Sequence, residues 1–244
     1  MKTTRILAAF LAVAALATAQ KPKNKSELEA LQAIQAEQSP AAKIQKIDDF
    51  VKKFADTEFK AILYTQAAQL AEHMGDGNKV VIYSDLALEA DPKAYQPMLM
   101  EAAELARSTR ENDLDKDEKL AKAEKYAKEG MEIAPNAPKP NPQIPDAQWD
   151  EIKKEFVGDA HRDLGMIASV RKKYDVAVAE FKQAVEIPHE PDPATFIRLA
   201  AAYNDNKQPD EALAVLAKMA ANPQLTPFVD KEKKRAEALK AAQK

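Results

Sequence analysis

The sequence has no cysteine, and it has few glycines and few aromatic residues. Of its 244 residues only 5 are Gly, and Phe, Trp and Tyr together make up 6%. Strands and Gly-rich phosphate loops depend on the residue types that are scarce here. Alanine, the best helix former, occurs 47 times. The composition therefore excludes an all-β fold and predicts an all-α protein whose stability comes from packing, because no disulfide can form.

The sequence also lacks an excess of charge of either sign. It contains 36 Lys and Arg against 39 Asp and Glu, which gives a formal charge of -3. A nucleic-acid surface requires a basic excess, so no nucleic-acid partner is predicted. Phosphate-loop, G-x-S-x-G and H-E-x-x-H motifs are missing, and the histidines His73, His161 and His189 are isolated from further ligands. We therefore expect no catalytic residue, no cofactor and no metal site.

The longest apolar run lies at the N-terminus and is too short to cross a membrane. A basic start and an apolar run from Ile6 to Leu16 precede the small-x-small sequence Ala17-Thr18-Ala19. A transmembrane helix needs about 20 apolar residues, whereas this arrangement is typical of a signal peptide. We predict a signal peptide over residues 1–19, cleavage before Gln20, and export to the bacterial periplasm or the medium. After cleavage no transmembrane anchor is expected.

An internal repeat gives the strongest structural signal. Five small or apolar residues recur after 35 residues: Leu164, Gly165, Ala177, Phe181 and Ala184 correspond to Leu199, Ala200, Ala212, Leu216 and Met219. In the first copy His161, Leu164, Gly165 and Ala168 lie at i, i+3, i+4 and i+7, and Ala177, Phe181 and Ala184 lie at i, i+4 and i+7. Such spacing places one stripe on each of two helices. The small residues allow the two backbones to approach, so each copy is predicted to be an antiparallel helix pair.

These copies resemble the tetratricopeptide repeat (TPR), whose pattern W-x2-L-G-x2-Y is followed by A-x3-F and Pro. The best copy reads His161-x2-Leu164-Gly165-x2-Ala168 and then Ala177-x3-Phe181. No copy keeps the Trp, and only this copy keeps the Leu-Gly pair. The resemblance implies an all-α, right-handed superhelical solenoid of antiparallel helix pairs with a C-terminal capping helix.

Two further copies are weaker. One begins at Tyr64-x2-Ala67-Ala68-x2-Ala71 and has its turn at Gly75-Asp76-Gly77. The other contains Ala102, Ala103 and Ala106 in its first helix and Ala123 and Ala127 in its second, with about eight residues more between them than the period of about 34 allows. Both are still predicted to form helix pairs.

The repeats and the prolines together predict the organisation of the chain. Five prolines between 135 and 145 predict an extended connector that divides the chain into two helical arrays. The predicted order is a signal peptide (1–19), a degenerate N-terminal helix pair split at Ser39-Pro40 (26–57), TPR-like repeats of which the second has an insertion (58–135), the Pro-rich connector (136–145), two TPR repeats (146–223) and a capping helix (227–244).

One acidic segment leaves two interpretations open. Asp113, Asp115, Asp117 and Glu124 match positions 1, 3, 5 and 12 of an EF-hand loop, but Glu118 stands where the sharp turn requires Gly. We interpret the segment as the acidic start of a helix, since acids favour the positive end of the helix dipole. Calcium binding is the alternative.

Function is predicted to reside on a surface. Solenoid curvature makes one side concave, and such sides bind extended peptides or helices. On each first helix, the stripe beside the packing positions should face that side. The predicted partner-binding groove is Thr65, Gln69, Glu72, Met100, Glu104, Arg107, Arg162, Met166, Ser169, Ile197, Ala201 and Asn204. The Lys and Asn pairs with which chaperone-binding TPR proteins hold a C-terminal carboxylate are absent from these positions.

The sequence therefore predicts a non-catalytic protein–protein interaction scaffold in the bacterial periplasm or cell envelope, with a protein or peptide partner. A structural or accessory subunit of an envelope complex is one alternative. A calcium-binding protein, or an enzyme with an unrecognised site, is the other.

Overall fold

The computed structural model describes residues 20–219 and 222–243, and within them the chain forms α-helices and no strand. The predicted signal peptide lies outside the described residues. The helices are α1 (Lys25–Ala36), α2 (Pro40–Lys53), α3 (Lys60–His73), α4 (Gly77–Ala90), α5 (Tyr95–Ser108), α6 (Lys116–Ile133), α7 (Asp146–Val170), α8 (Tyr174–Glu186), α9 (Pro193–Asp205), α10 (Pro209–Ala217) and α11 (Thr226–Ala242). A short 3-10 helix, Ala134–Asn136, follows α6. The all-α prediction is confirmed.

Successive helices pack as pairs, and each pair packs on the next. The pairs are α1–α2, α3–α4, α5–α6, α7–α8 and α9–α10, and the first helices α3, α5 and α7 also contact one another in order. The chain break predicted at Ser39-Pro40 separates α1 from α2, because the Ser39 hydroxyl accepts the N–H of Ala42 and Pro40 occupies the first helical position. The predicted repeat units therefore correspond to helix pairs.

Small residues lie where the helices of a pair cross. Ala177 and Ala212 are fully buried, and they share apolar clusters with Phe181 and Leu216 of their own helices. A Cβ atom at Gly165 would lie 2.7 Å from the Phe181 ring, so the ring packs directly on the helix backbone. The Leu-Gly pair and the A-x3-F pattern thus describe one contact between two helices.

Three of the turns inside the pairs share one backbone conformation. Gly75, Lys172 and Lys207 each follow a first helix and have φ of +74°, +60° and +60°. The N–H of the next residue closes the turn on a carbonyl of the helix, as in Lys173 N to Ala168 O at 2.9 Å. This is the Schellman ending, in which glycine is favoured because other residues are strained at positive φ. Two of the three positions carry lysine, so those turns hold backbone strain.

The stretched repeat differs from the others in its turn and in its core. Residues 109–115 connect α5 to α6, and α6 extends over 18 residues. Glu101 on α5 is fully buried, and its Oε1 lies 2.5 Å from Lys122 Nζ, which also pairs with Asp85 at 2.8 Å. Burial raises the pKa of Glu101 to about 7 although Lys122 opposes this shift. The Glu101–Lys122 ion pair therefore occupies the position at which the other repeats have apolar contacts.

The proline-rich connector is folded rather than extended, which corrects the prediction. Trp149 on α7 is buried, and its Nε1 donates a hydrogen bond of 3.0 Å to the Ala137 carbonyl. Ile144 and Ala137 pack against the same ring. Because α5 and α6 both pack on α7, the stack of helices continues across the connector instead of dividing into two arrays.

The predicted capping helix is α11, and it covers the last repeat. Ala236 is fully buried in an apolar cluster with Ala200, Ala212 and Leu216. Glu232 is buried beside α9. The polar remainder of α11 faces outward, as an end cap requires. Across residues 20–219 and 222–243 no helix combines the length and apolar character that crossing a membrane requires.

The strained turns give a test of this fold. Lys207→Gly should raise the free energy of unfolding by about 0.5 to 1 kcal/mol, since glycine tolerates positive φ. Gly75→Ala should lower it by about 1 kcal/mol, because no atom lies within 4 Å of the added Cβ and only the backbone conformation is penalised. Urea unfolding measures both changes.

The matched control is Lys182→Gly in the middle of α8, which makes the same substitution in ordinary helix. It should lower the free energy of unfolding by about 1 kcal/mol. A destabilised Lys207→Gly protein would contradict the assignment of the turn.

Candidate functional site

A groove lies on the side of the molecule formed by the first helices. It encloses about 340 Å³. One wall is the end of α3 and the start of α4, the floor is α5, and the other wall is α7 with α9. The lining residues are Glu72, Gly75, Gly77, Val80, Met100, Ala103, Glu104, Arg107, Arg162, Asp163, Met166, Asp192 and Arg198.

Six of the twelve predicted groove residues line this groove. They are Glu72, Met100, Glu104, Arg107, Arg162 and Met166. Gln69, Ser169, Ile197 and Ala201 do not line it. Ile197 instead packs against the apolar cluster beneath α11, and the Ser169 hydroxyl donates to the Gly165 carbonyl of its own helix at 2.8 Å. The structure therefore brings together the central part of the predicted stripe.

Two predicted groove residues are buried, which corrects their assignment. Asn204 is fully buried, and its Nδ2 donates to the backbone oxygen of Glu232 at 3.0 Å and to its Oε2 at 3.1 Å. The capping helix α11 covers Asn204, in the place that the first helix of a further repeat would occupy. Thr65 is 8% exposed, and its hydroxyl donates to the Ala61 carbonyl at 2.7 Å. Neither side chain is available to a partner.

Several lining residues lie outside the predicted stripe. Asp163 and Arg198 come directly after Arg162 and Ile197, which the predicted stripe contains. The face of α7 and α9 that lines the groove is therefore wider by one residue than the predicted stripe. Asp192 precedes Pro193 as the cap of α9, a pattern that signals a helix start and not a groove. Val80 lies on α4, the second helix of its pair. The predicted stripe included only residues of first helices and therefore could not contain it.

Two charged pairs of the groove have well-defined geometry. Arg162 Nη2 lies 3.0 Å from Asp163 Oδ1, and Arg162 Nη1 lies 2.6 Å from Asp159 Oδ1. Asp163 is 2% exposed, and burial raises its pKa to about 6, partly offset by Arg162. At neutral pH a buried carboxylate is therefore held in its charged form mainly by one guanidinium.

The second pair lies on α5, the floor of the groove. Glu104 Oε2 accepts from Arg107 Nη2 at 2.5 Å, and the Glu104 side chain crosses directly over Gly77. A Cβ atom at Gly77 would lie 2.1 Å from Glu104 Oε1. Because Gly77 is the first residue of α4, the carboxylate lies at the positive end of that helix. Glycine here allows the Glu104 side chain on the floor to contact the wall at the start of α4.

The acidic segment that resembles an EF-hand loop lies apart from the groove. Asp115 pairs with Lys119 at 2.8 Å, and Asp113 accepts the N–H of Arg110 at 2.8 Å. Glu124 pairs with Lys128 and Arg171, and these cations lower its pKa to about 2. In the part of the chain that the structure describes, no three His, Cys, Asp or Glu side chains are grouped so that they could hold a metal ion.

Comparison with known proteins identifies relatives of the fold. No family model matches this sequence, and no characterised protein is detectably similar to it in sequence. The chain is similar to the crystal structure of a thermophilic TPR protein from Thermus thermophilus, with a TM-score of 0.51 and 16% identity over 88% of this chain and 96% of that chain. A tetratricopeptide repeat protein from Parabacteroides merdae matches with a TM-score of 0.43 and 14% identity, over 88% of this chain and 91% of that chain. The first similarity confirms the predicted TPR-type fold, and at this identity it concerns the fold alone.

The Arg162–Asp163 pair gives a prediction with a defined pH dependence. Arg162→Ala removes the cation that faces the buried carboxylate, so at pH 8 the free energy of unfolding should fall by about 3 kcal/mol. The pKa of Asp163 in the folded chain is about 6, above the value of about 3.9 expected for an unfolded chain. Its protonation therefore stabilises the fold as the pH falls through this window. At pH 5 the loss should be smaller, which urea unfolding at both pH values measures.

Asp163→Asn in the Arg162→Ala background is the control. The amide carries no charge, so the double variant should recover most of the stability and lose the difference between pH 5 and pH 8. An equal loss at both pH values in Arg162→Ala would show that the pair does not control the stability of this wall.

Proposed function

We propose that this chain is a non-catalytic scaffold that binds an extended peptide or a helix of a partner protein in the groove. The observation that carries the proposal is the composition of the groove. Met100 and Met166 supply apolar surface, and charged side chains on both walls supply specific polar contacts. Binding grooves combine these two elements, because apolar area gives affinity and placed polar groups fix orientation.

The shape of the site supports a polypeptide partner. The groove spans contributions from α3, α4, α5, α7 and α9, so a ligand that fills it touches several repeats at once. Concave surfaces of stacked repeats are suited to long, continuous ligands. Met side chains adapt to ligands of different shape, since the thioether is flexible and polarisable.

We further propose that the protein is exported and acts in the periplasm or cell envelope of a bacterium. The support is the pattern at residues 1–19, with its basic start, its apolar run and the Ala17-Thr18-Ala19 sequence. A chain without cysteine is also indifferent to the oxidising environment of that compartment.

Export predicts a defined N-terminus. Mass spectrometry of the protein recovered from an envelope fraction should give a mature chain that starts at Gln20. The control is Ala17→Asp together with Ala19→Asp, which removes the small residues that signal peptidase requires and should leave the precursor uncleaved. Wild-type protein that keeps residues 1–19 and stays in the cytoplasm would contradict the proposal.

Groove binding predicts position-dependent cross-linking. A photo-reactive amino acid at Arg107, an exposed residue on the groove floor, should form a covalent adduct with a partner in cells. The matched position is Lys182, an exposed residue on the second helix α8 that does not line the groove, where no comparable adduct should form. Immunoblots of the irradiated cells measure both.

A blocking substitution completes the experiment. Ala103→Trp places a large ring in the groove, so it should abolish the adduct at the Arg107 position while the helix content remains. Equal adducts at positions 107 and 182, or an adduct that persists with Trp at 103, would contradict a partner in the groove.

A further inference from the structure

Two of the three arginines that line the groove form ion pairs, and Arg198 differs from them. Arg162 is paired with Asp163, and Arg107 is paired with Glu104. Arg198 lines the same groove from α9 and is exposed. Among the described residues, no carboxylate oxygen comes within 4.0 Å of its guanidinium. Its charge is therefore available to a ligand.

The surroundings of Arg198 compensate its positive charge only in part. Asp192 lies nearby, and its carboxylate also accepts the N–H of Ala194 at 3.1 Å as the cap of α9. Desolvation against the groove wall and repulsion by Arg162 lower the pKa of Arg198, although Asp192 and Asp163 oppose this shift. A lowered pKa means that the site disfavours the guanidinium charge, so an added anion would be stabilised there.

The groove that Arg198 lines also has an apolar part. Met166 on α7 and Met100 on α5 line the groove together with Val80 and Ala103. A segment that places an anion on Arg198 therefore brings its neighbouring side chains onto apolar surface. The groove thus combines one cationic position with an adaptable apolar floor.

We propose that the groove recognises a partner segment in which an Asp or Glu side chain pairs with Arg198 and an adjacent apolar side chain packs on Met100 and Met166. The inference rests on the proposed function and names the chemistry of the partner. A guanidinium suits a carboxylate because its two N–H groups match the two oxygens.

The acidic residues of the groove favour a partner with a single carboxylate over a partner with many negative charges. Glu72, Glu104 and Asp192 also line the groove, so a phosphate chain or a nucleic acid would meet negative charge on both walls. The groove continues from α9 across α5 to the turn after α3, so the bound segment passes beyond Arg198. The carboxylate is therefore a side chain within the segment and not a chain terminus.

The test uses the full chain, immobilised, and three pools of acetylated and amidated nonapeptides. Each pool has random flanking residues, a fixed central residue (Glu, Gln or Lys) and a fixed Leu beside it. The blocked ends ensure that any carboxylate comes from a side chain. We expect the Glu pool to be retained about tenfold more than the Gln pool, because a charge-assisted hydrogen bond increases affinity by about this factor. The Lys pool should be retained least.

Variants connect the preference to one side chain. Arg198→Gln should remove the difference between the Glu and Gln pools, Arg198→Glu should favour the Lys pool, and Arg198→Lys should keep a reduced Glu preference. Lys182→Glu makes the same change in charge outside the groove and should leave the preference unchanged. Circular dichroism confirms that the variants fold, which the exposure of Arg198 leads us to expect.

The outcomes separate the two proposals. Equal retention of the three pools by the wild type would overturn the acidic-partner inference but leave groove binding intact, as would a Glu preference that survives Arg198→Gln. A matched pool with free C-termini that is retained more strongly than the blocked Glu pool would identify a terminal carboxylate as the source and also overturn it. Retention of no pool would overturn both proposals.

Discussion

Close contact between helix backbones, made possible by alanine and glycine, is the constraint on which the rest of this structure depends. Gly165 allows Phe181 to pack on the backbone, and Ala177 and Ala212 bring the helices of their pairs together. A helix pair held at this distance presents its first helix in a fixed direction. The first helices of successive pairs then line up, and the groove is the space that they leave.

The repeat architecture could be predicted from the sequence because its signals are local. Helix periodicity, the cap at Ser39 and the turn at Gly75 each involve residues that are close in the chain. The connector could not be predicted, because its conformation depends on a hydrogen bond from Trp149 to Ala137 across intervening prolines. The ion pair of Glu101 with Lys122 was also hidden, since a charged residue in an apolar stripe resembles an interruption of the pattern.

Only part of the groove could be predicted from the sequence, because the neighbours of a first helix differ along the stack. A stripe copied from repeat to repeat assumes that every first helix has the same neighbours. Asn204 breaks this assumption because the capping helix covers it, and Arg198 is found one position beyond the stripe on the same helix. The charge distribution could not be predicted from the sequence, because which arginine lies within ion-pair distance of a carboxylate depends on side-chain positions in the folded chain.

The contact between Asn204 and Glu232 bears on how such an array can change its length. The buried polar pair is specific to the end of the stack, so a further unit added after α10 would have to reproduce it or leave an amide without a partner. Internal helix pairs have polar contacts of their own across units, such as Lys122 of α6 with Asp85 of α4. The terminal helix and its asparagine partner are therefore expected to be inherited together.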